Sequence, residues 1–208
     1  VDGNDYKASH VIIATGSRSR TIDSIPQDGN QIIGYREAMT LKKQPKSITI
    51  VGSGAIGIEF AYFYNSIGTN VNIVEYMPNI VPLEDEDVSK ELAKSFKKKG
   101  INILTSSEVI SVKKTKNKVI ATIKKNDKET NLESEILLSA VGIKSNIENI
   151  GLEDVGIAVD NDKIIVDKYY NTNIPGYYAI GDVVSGPALA HVASAEGILC
   201  VEKIAGHN

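Results

Sequence analysis

The stretch Ile48-Thr49-Ile50-Val51-Gly52-Ser53-Gly54-Ala55-Ile56-Gly57-Ile58-Glu59 constrains this chain more than any other part of it. An apolar run of strand character ends in G-x-G-x-x-G and passes directly into a helical pattern, the context that gives the motif meaning. Gly52 permits the tight turn out of the strand, Gly54 lets a pyrophosphate approach the backbone, and Gly57 lets the helix close on the sheet. The N–H groups of the first helical turn then face the phosphates, with the positive end of the helix dipole behind them. A second strand, Asn70-Val71-Asn72-Ile73-Val74, ends at Glu75, about 20 residues on, where the acid for a ribose 2′-hydroxyl belongs. A glycine turn in an ordinary α/β sheet would explain the motif alone, and the placement of Glu75 argues against it.

With 208 residues the chain has room for one large or two small domains and a real core. Its apolar and charged fractions are those of a soluble globular protein, and a net charge of −3 gives no sign of a nucleic-acid surface. No apolar run is long enough to span a membrane, and Val1-Asp2-Gly3-Asn4-Asp5 lacks the features of a signal peptide. A cytoplasmic protein, or a mitochondrial-matrix one if eukaryotic, is the expectation. Cys200 is the only cysteine and lies in the apolar helical run Gly197-Ile198-Leu199-Cys200-Val201, so it reads as a small buried hydrophobe. No intrachain disulfide can form and no metal-ligand spacing occurs.

Val11-Ile12-Ile13 reads as a buried strand running into the small-residue turn Ala14-Thr15-Gly16-Ser17. Residues from about Arg18 to Gln44 read as a connecting loop with a short helical piece around Glu37-Ala38-Met39. The helix after Gly57 carries Ile56, Phe60, Phe63 and Ile67 at helical spacing, and Gly68 stops it. A second helix from about Asp87 to Lys99 presents Val88, Leu92 and Phe96 on one face, with acids early and lysines late. Ile101-Asn102-Ile103-Leu104 then reads as the third parallel strand. Strand, helix, strand, helix, strand is one mononucleotide-binding half of a doubly wound fold. Val109–Val112 and Val119–Ile123 predict an antiparallel hairpin or meander around a lysine-rich solvated turn. Glu135–Gly142 returns as a buried strand, Tyr177–Ile180 is a short strand, and a last helix is expected from about Ala188 to Ala205.

Four separated signatures coincide: Ala14-Thr15-Gly16-Ser17, the fingerprint with Glu59 and Glu75, Ala140-Val141-Gly142, and Tyr178-Ala179-Ile180-Gly181-Asp182. Together they resemble the FAD-dependent pyridine nucleotide-disulfide oxidoreductases. Within that family, Gly181-Asp182-Val183-Val184-Ser185-Gly186-Pro187-Ala188-Leu189-Ala190-His191 is similar to the dihydrolipoamide dehydrogenase branch, with Ala188 standing where that branch usually has Met. The resemblance implies that Asp182 accepts from a flavin hydroxyl, although a turn or N-cap acid is the plainer reading of that residue. It implies that Ala188, Leu189, Ala190 and His191 present backbone donors to the isoalloxazine edge, and that Thr15, Gly16 and Ser17 line the flavin side. It also implies that Glu59 lies near the nicotinamide, where helix N-terminal stabilisation would be sufficient reason for an acid. Ala55 takes the position that shields the flavin, smaller than the usual Ile or Val. Val109 and Gly142 correspond to adenine-side and nicotinamide-side contacts. Glu75, followed by Tyr76 and Met77 and not by Arg, points to NAD over NADP.

The fold expected is therefore α/β: a Rossmann-like NAD-binding domain with a parallel sheet, helices and an antiparallel meander, flanked by partial FAD-domain segments. The boundaries expected are 1–44 and 168–208 for the FAD-side segments and 45–167 for the NAD-binding domain. Only one fingerprint and no C-x4-C pair are present, so the chain reads as an internal piece of a longer enzyme, unable to carry out disulfide chemistry alone, and no catalytic residue is assigned. The implied parent is a homodimer that takes electrons from dihydrolipoamide, carried on a lipoyl domain of a 2-oxo acid dehydrogenase or glycine cleavage complex, through a disulfide and FAD to NAD+. Two other readings stand beside it: another flavin-dependent disulfide reductase or NADH oxidase, and a free-standing non-catalytic NAD-binding module.

Overall fold

A computed structural model describes residues 3–207. In chain order it runs β1 (Val11–Ile13), β2 (Ser17–Ser19), β3 (Ile32–Ile33), α1 (Tyr35–Met39), β4 (Ser47–Val51), α2 (Ala55–Ser66), β5 (Asn70–Val74), α3 (Glu86–Lys98) and β6 (Asn102–Leu104). There follow β7 (Glu108–Lys114), β8 (Val119–Lys125), β9 (Lys128–Ser134), β10 (Ile136–Ser139), β11 (Ile143–Ser145), α4 (Leu152–Val155), β12 (Val159–Asp160), β13 (Lys163–Ile164), β14 (Tyr177–Ala179), a 3-10 turn (Gly181–Val183) and α5 (Ala190–Ile204). Two compact units result: Ser19–Gly142, and the residues up to Arg18 together with those from Ile143 on.

Ser19–Gly142 is a three-layer α/β unit. Its central sheet has the order β3-β10-β4-β5-β6 and is parallel throughout. Because strand side chains alternate between faces, Ile48, Ile50, Val71, Ile73 and Leu138 point to one side, where Ala38, Ala61, Tyr64 and Phe96 of the helices cover them. Val51, Val74 and Leu137 point to the other side and meet Val109, Val119, Ala121 and Ile123 of the antiparallel meander β7-β8-β9. The expected alternation β4-α2-β5-α3-β6 is present.

Three expectations change. On α2 the buried residues are Gly57, Ala61 and Tyr64, while Phe63 and Ile67 are about half exposed. Of the expected stripe, Ile56 and Phe60 do pack on the core, partly buried, while Gly57 and Ala61, too small to register as hydropathy, sit on the inner face beside Tyr64. On α3, Phe96 is buried and Leu92 packs on the core, but Val88 is exposed and Ser89 lies inward. The stretch between Arg18 and Gln44 is more than a connection, since β3 joins the parallel sheet beside β10.

That last point moves the limits of the compact units away from the expected 44/45 and 167/168. Ile25, Ile32 and Ile33 are fully or almost fully buried in the cores of Ser19–Gly142. On the other side, Ile147, Leu152, Ile157 and Ile164 pack with Ile13, Ala179, Val183 and Val184 in the second unit. In that unit β1 and β14 form a parallel pair, and α5 buries Glu196 and Cys200 while exposing Ile198 and Val201.

Asp28 anchors the loop before β3. Its Oδ1 accepts from the N–H groups of Asn30, Gln31 and Ile32, each at 2.9 Å, and its Oδ2 pairs with Lys114 Nζ at 2.6 Å. Burial works to raise the pKa, but the Lys114 bond and the three N–H donors outweigh it and bring the carboxyl from 3.8 to about 2. A pKa depressed by folding stabilises the native state fully above the unfolded value, and that contribution fades as pH falls through the folded one. Asp28→Asn is therefore expected to be less stable than the parent near neutrality, with the gap closing between about pH 4 and pH 2. Urea unfolding across that range checks it, and a gap independent of pH would count against it.

Candidate functional site

The parallel register brings the fingerprint together. Ser139 pairs with Val51, Val51 with Val74, and Val74 with Leu104, so β10, β4, β5 and β6 end level. Ala140, Gly52, Glu75 and Thr105 thus leave the sheet along one edge. The chain proceeds from β4 to β5 on one side while β10 flanks β4 on the other, which opens the crevice where open α/β sheets hold ligands. Gly52 has φ +99°, and a Cβ there would lie 2.4 Å from the Ala140 carbonyl oxygen. Glycine is what allows the two turns to touch.

Gly54 is the N-cap of α2, with no side-chain cap. A Cβ on Gly54 would meet nothing within 4 Å. The N–H groups of Ala55, Ile56 and Gly57 belong to the first turn, where a helix has no internal acceptors, next to the open position at Gly54. The same turn carries Ala55, which is exposed, and Ile56, which packs on the core. Ile58 begins the internal helix bonding by donating to the Gly54 carbonyl at 3.0 Å, and Glu59 is exposed. This is a fitting cradle for the pyrophosphate of a dinucleotide.

Glu75 is 7 % exposed, and its carboxylate is held inside the chain. Oε2 accepts from Ser53 N–H at 2.8 Å and from the Ser53 hydroxyl at 2.6 Å, while Oε1 accepts from Met77 N–H at 2.7 Å. The Ser53 carbonyl in turn accepts from Val81 N–H at 3.0 Å. Val81 sits at φ +43°, a conformation that costs a β-branched residue ~1–3 kcal/mol. Ser53 thus ties Glu75 to the loop after β5. The sequence offered no signal for this, because Ser53 occupies a spacer position of the motif. Val109 is 4 % exposed and packs with Val51 and Val74, and Gly142, at φ +106°, accepts from Arg20 N–H through its carbonyl.

The remaining candidates lie in the second unit, around the 3-10 turn. The Ser17 hydroxyl donates to Asp182 Oδ2 at 2.6 Å. The Asp182 carbonyl accepts from the Ser145 hydroxyl at 2.9 Å and from Lys163 Nζ, which also donates to Ser145 Oγ at 3.0 Å. Glu196, 7 % exposed, accepts from Gly181 N–H at 2.6 Å. Asp182 is therefore fixed at both its carboxylate and its backbone. Ser145 and Lys163 were not singled out in the sequence, since no motif marks them. Thr15 donates to the Asn146 carbonyl at 2.6 Å, and Gly16, at φ +70°, accepts from Asn146 N–H. The neighbouring Arg18 forks onto Glu148; that bond, with a second from Lys144, holds the Glu148 carboxyl well below the usual range.

Helix α5 begins at Ala190, later than expected. Leu189 is its N-cap, without a side-chain cap, and donates its own N–H to the Pro187 carbonyl at 2.9 Å. Ala188 therefore precedes the helix, and the first-turn donors are those of Ala190, His191 and Val192. Cys200 is buried, and burial pushes its thiol pKa up, the opposite of what an activated thiol requires. Among the described residues no cluster of His, Cys, Asp and Glu could hold a metal, and no helix is long and apolar enough to cross a membrane.

The sequence profile described as pyridine nucleotide-disulphide oxidoreductase matches residues 1–197. A dihydrolipoyl dehydrogenase of Rhizobium etli is 46% identical over 202 residues, which is 97% of this chain and 42% of the relative. One of Zymomonas mobilis is 44% identical over 201 residues, 96% of this chain and 43% of the relative. Among solved structures, LpdA from Mycobacterium tuberculosis has a TM-score of 0.89 at 30% identity, covering 98% of this chain and 44% of that one. The HOCl-induced flavoprotein disulfide reductase RclA from Escherichia coli has a TM-score of 0.84 at 25% identity, covering 96% and 45%. The chain spans less than half the length of each of these relatives.

Proposed function

The chain belongs to the pyridine nucleotide-disulphide oxidoreductase family, and we propose that it is the NAD-binding region of a dihydrolipoyl dehydrogenase with flanking parts of its FAD-binding domain. The observation that carries the reading is the common sheet edge at which an uncapped helix N-terminus, an open Gly54 and the buried Glu75 carboxylate converge. In this proposal Gly52 to Ile58 hold the pyrophosphate, Glu75 takes the adenosine ribose, and Glu59, Val109 and Gly142 border the nucleotide. Thr15, Gly16, Ser17, Asp182 and the segment Ala188–His191 serve FAD. What supports the FAD assignment is the doubly anchored Asp182 ahead of an uncapped helix, together with the exposed Val11, Ile12 and Ile198 on elements that a larger flavin domain would cover.

The whole enzyme would oxidise dihydrolipoamide, presented by a lipoyl domain, and reduce NAD+ to NADH as a homodimer. The nicotinamide accepts hydride in that chemistry. The contribution of this chain's residues is to bind and orient, so that ring and flavin face each other in a reactive geometry. Calorimetric titration with NADH, NADPH and FAD tests the assignment. Saturable NADH binding is expected, with NADPH weaker and without stoichiometric FAD uptake. Binding of FAD in preference to NADH would overturn the division of sites, and binding of neither nicotinamide nucleotide would overturn the nucleotide reading.

A further inference from the structure

Resting on the nucleotide reading of Ser19–Gly142, we propose that the Ser53 hydroxyl is a positioning group for cofactor choice: it fixes the Glu75 carboxylate and leaves Oε1 as the one acceptor offered to the adenosine ribose. A carboxylate has about four lone-pair sites. Oε2 fills its pair with the Ser53 N–H and hydroxyl, and Oε1 uses one on Met77 N–H. Three short bonds to a charged acceptor hold its plane in place. Ser53 is itself immobile, being 0 % exposed and bonded through its carbonyl to the strained Val81.

Two consequences follow for a ligand. A ribose 2′-hydroxyl donates one hydrogen bond, which matches the single site left. A dianionic 2′-phosphate has no proton to give and meets a negative group that is unable to turn aside. Without that hydroxyl, Oε2 regains an acceptor site and two backbone donors alone hold the carboxylate. It then has freedom to rotate away from a phosphate, and it presents a less defined acceptor to a hydroxyl. Discrimination should fall even though Glu75 is still present.

The test compares Kd for NADH and NADPH in the parent, Ser53→Ala and Ser53→Cys, the last keeping the side-chain shape at a somewhat larger volume while replacing the hydroxyl by a weak donor. Both variants are expected to lower the ratio of NADPH Kd to NADH Kd by about tenfold, the scale of one charge-assisted hydrogen bond. A thermal melt of each variant identifies any that does not fold, and the other then carries the comparison. An unchanged ratio overturns the proposal, and so does an equal weakening of both nucleotides, which is what a merely structural role would produce. Failure of the parent to bind NADH is a different result: it defeats the nucleotide reading itself, before any variant is made.

Discussion

Gly57→Ala is expected to abolish saturable NADH binding and to destabilise the Ser19–Gly142 unit by ~3 kcal/mol, the upper range for overpacking. A Cβ at Gly57 would stand 2.0 Å from the Gly52 carbonyl oxygen and 3.0 Å from its carbon. Both are backbone atoms, so no rotamer change relieves the clash, and α2 must lift from β4. The lift separates Ala61 and Tyr64 from a core in which they are 0 % and 2 % exposed. It also strains the hydrogen bond from the Tyr64 hydroxyl to the Ala38 carbonyl, now 2.6 Å. The first-turn N–H groups move with the helix, away from the place proposed for the pyrophosphate. Gly54→Ala separates the two effects. At φ −68° with nothing near its Cβ, it should cost no more than the ~1 kcal/mol of replacing a glycine N-cap by alanine yet lose NADH affinity, because the methyl would occupy the space proposed for the phosphates. Unfolding curves and calorimetry on both variants decide the matter. A Gly57→Ala protein with parental Tm and parental NADH affinity would refute the close-packing argument.

That helix illustrates where the sequence could and could not be read. Its position was legible, because a fingerprint between an apolar run and a helical pattern is a strong local signal. Its buried face was legible only in part: Ile56 and Phe60 do pack on the core, but glycine and alanine at an interface report distance, and hydropathy is silent about distance. The third meander strand, Lys128–Ser134, escaped for a related reason. Its residues Lys128 to Asn131 are all exposed, so no apolar alternation marks it, and it exists through its pairing with β8. The two-residue β3 is too short for any periodicity, yet it pairs with β10 inside the compact unit Ser19–Gly142. In the candidate sites, Glu75 and Asp182 were found as acids at strand ends. The groups that hold them, Ser53 for one and Ser17, Ser145 and Lys163 for the other, are non-local in sequence, and for three of the four no sequence pattern announces the bond.

Glu75→Gln is expected to reverse nucleotide preference and to destabilise the protein, although the side chain keeps its shape. The carboxylate receives three donors on two oxygens, and an amide has one oxygen. If that oxygen turns to Ser53, where it satisfies two donors, the NH2 group confronts Met77 N–H; the opposite orientation confronts both Ser53 donors. The first is the cheaper, and it leaves one N–H without an acceptor, a cost of ~1–3 kcal/mol. It also directs the NH2 group toward the place of the ribose. A hydroxyl there loses its charged acceptor, and NADH should bind about tenfold more weakly. A 2′-phosphate loses a repelling charge and gains a donor, so NADPH should bind more tightly than it does to the parent. Calorimetry with both nucleotides gives the two changes separately, and urea unfolding gives the third. The opposite signs are the diagnostic: general damage to the site weakens NADH and NADPH together, whereas exchange of an acceptor for a donor at Oε1 moves them apart. A Gln variant in which both weaken equally would show that Glu75 shapes the loop and does not read the ribose.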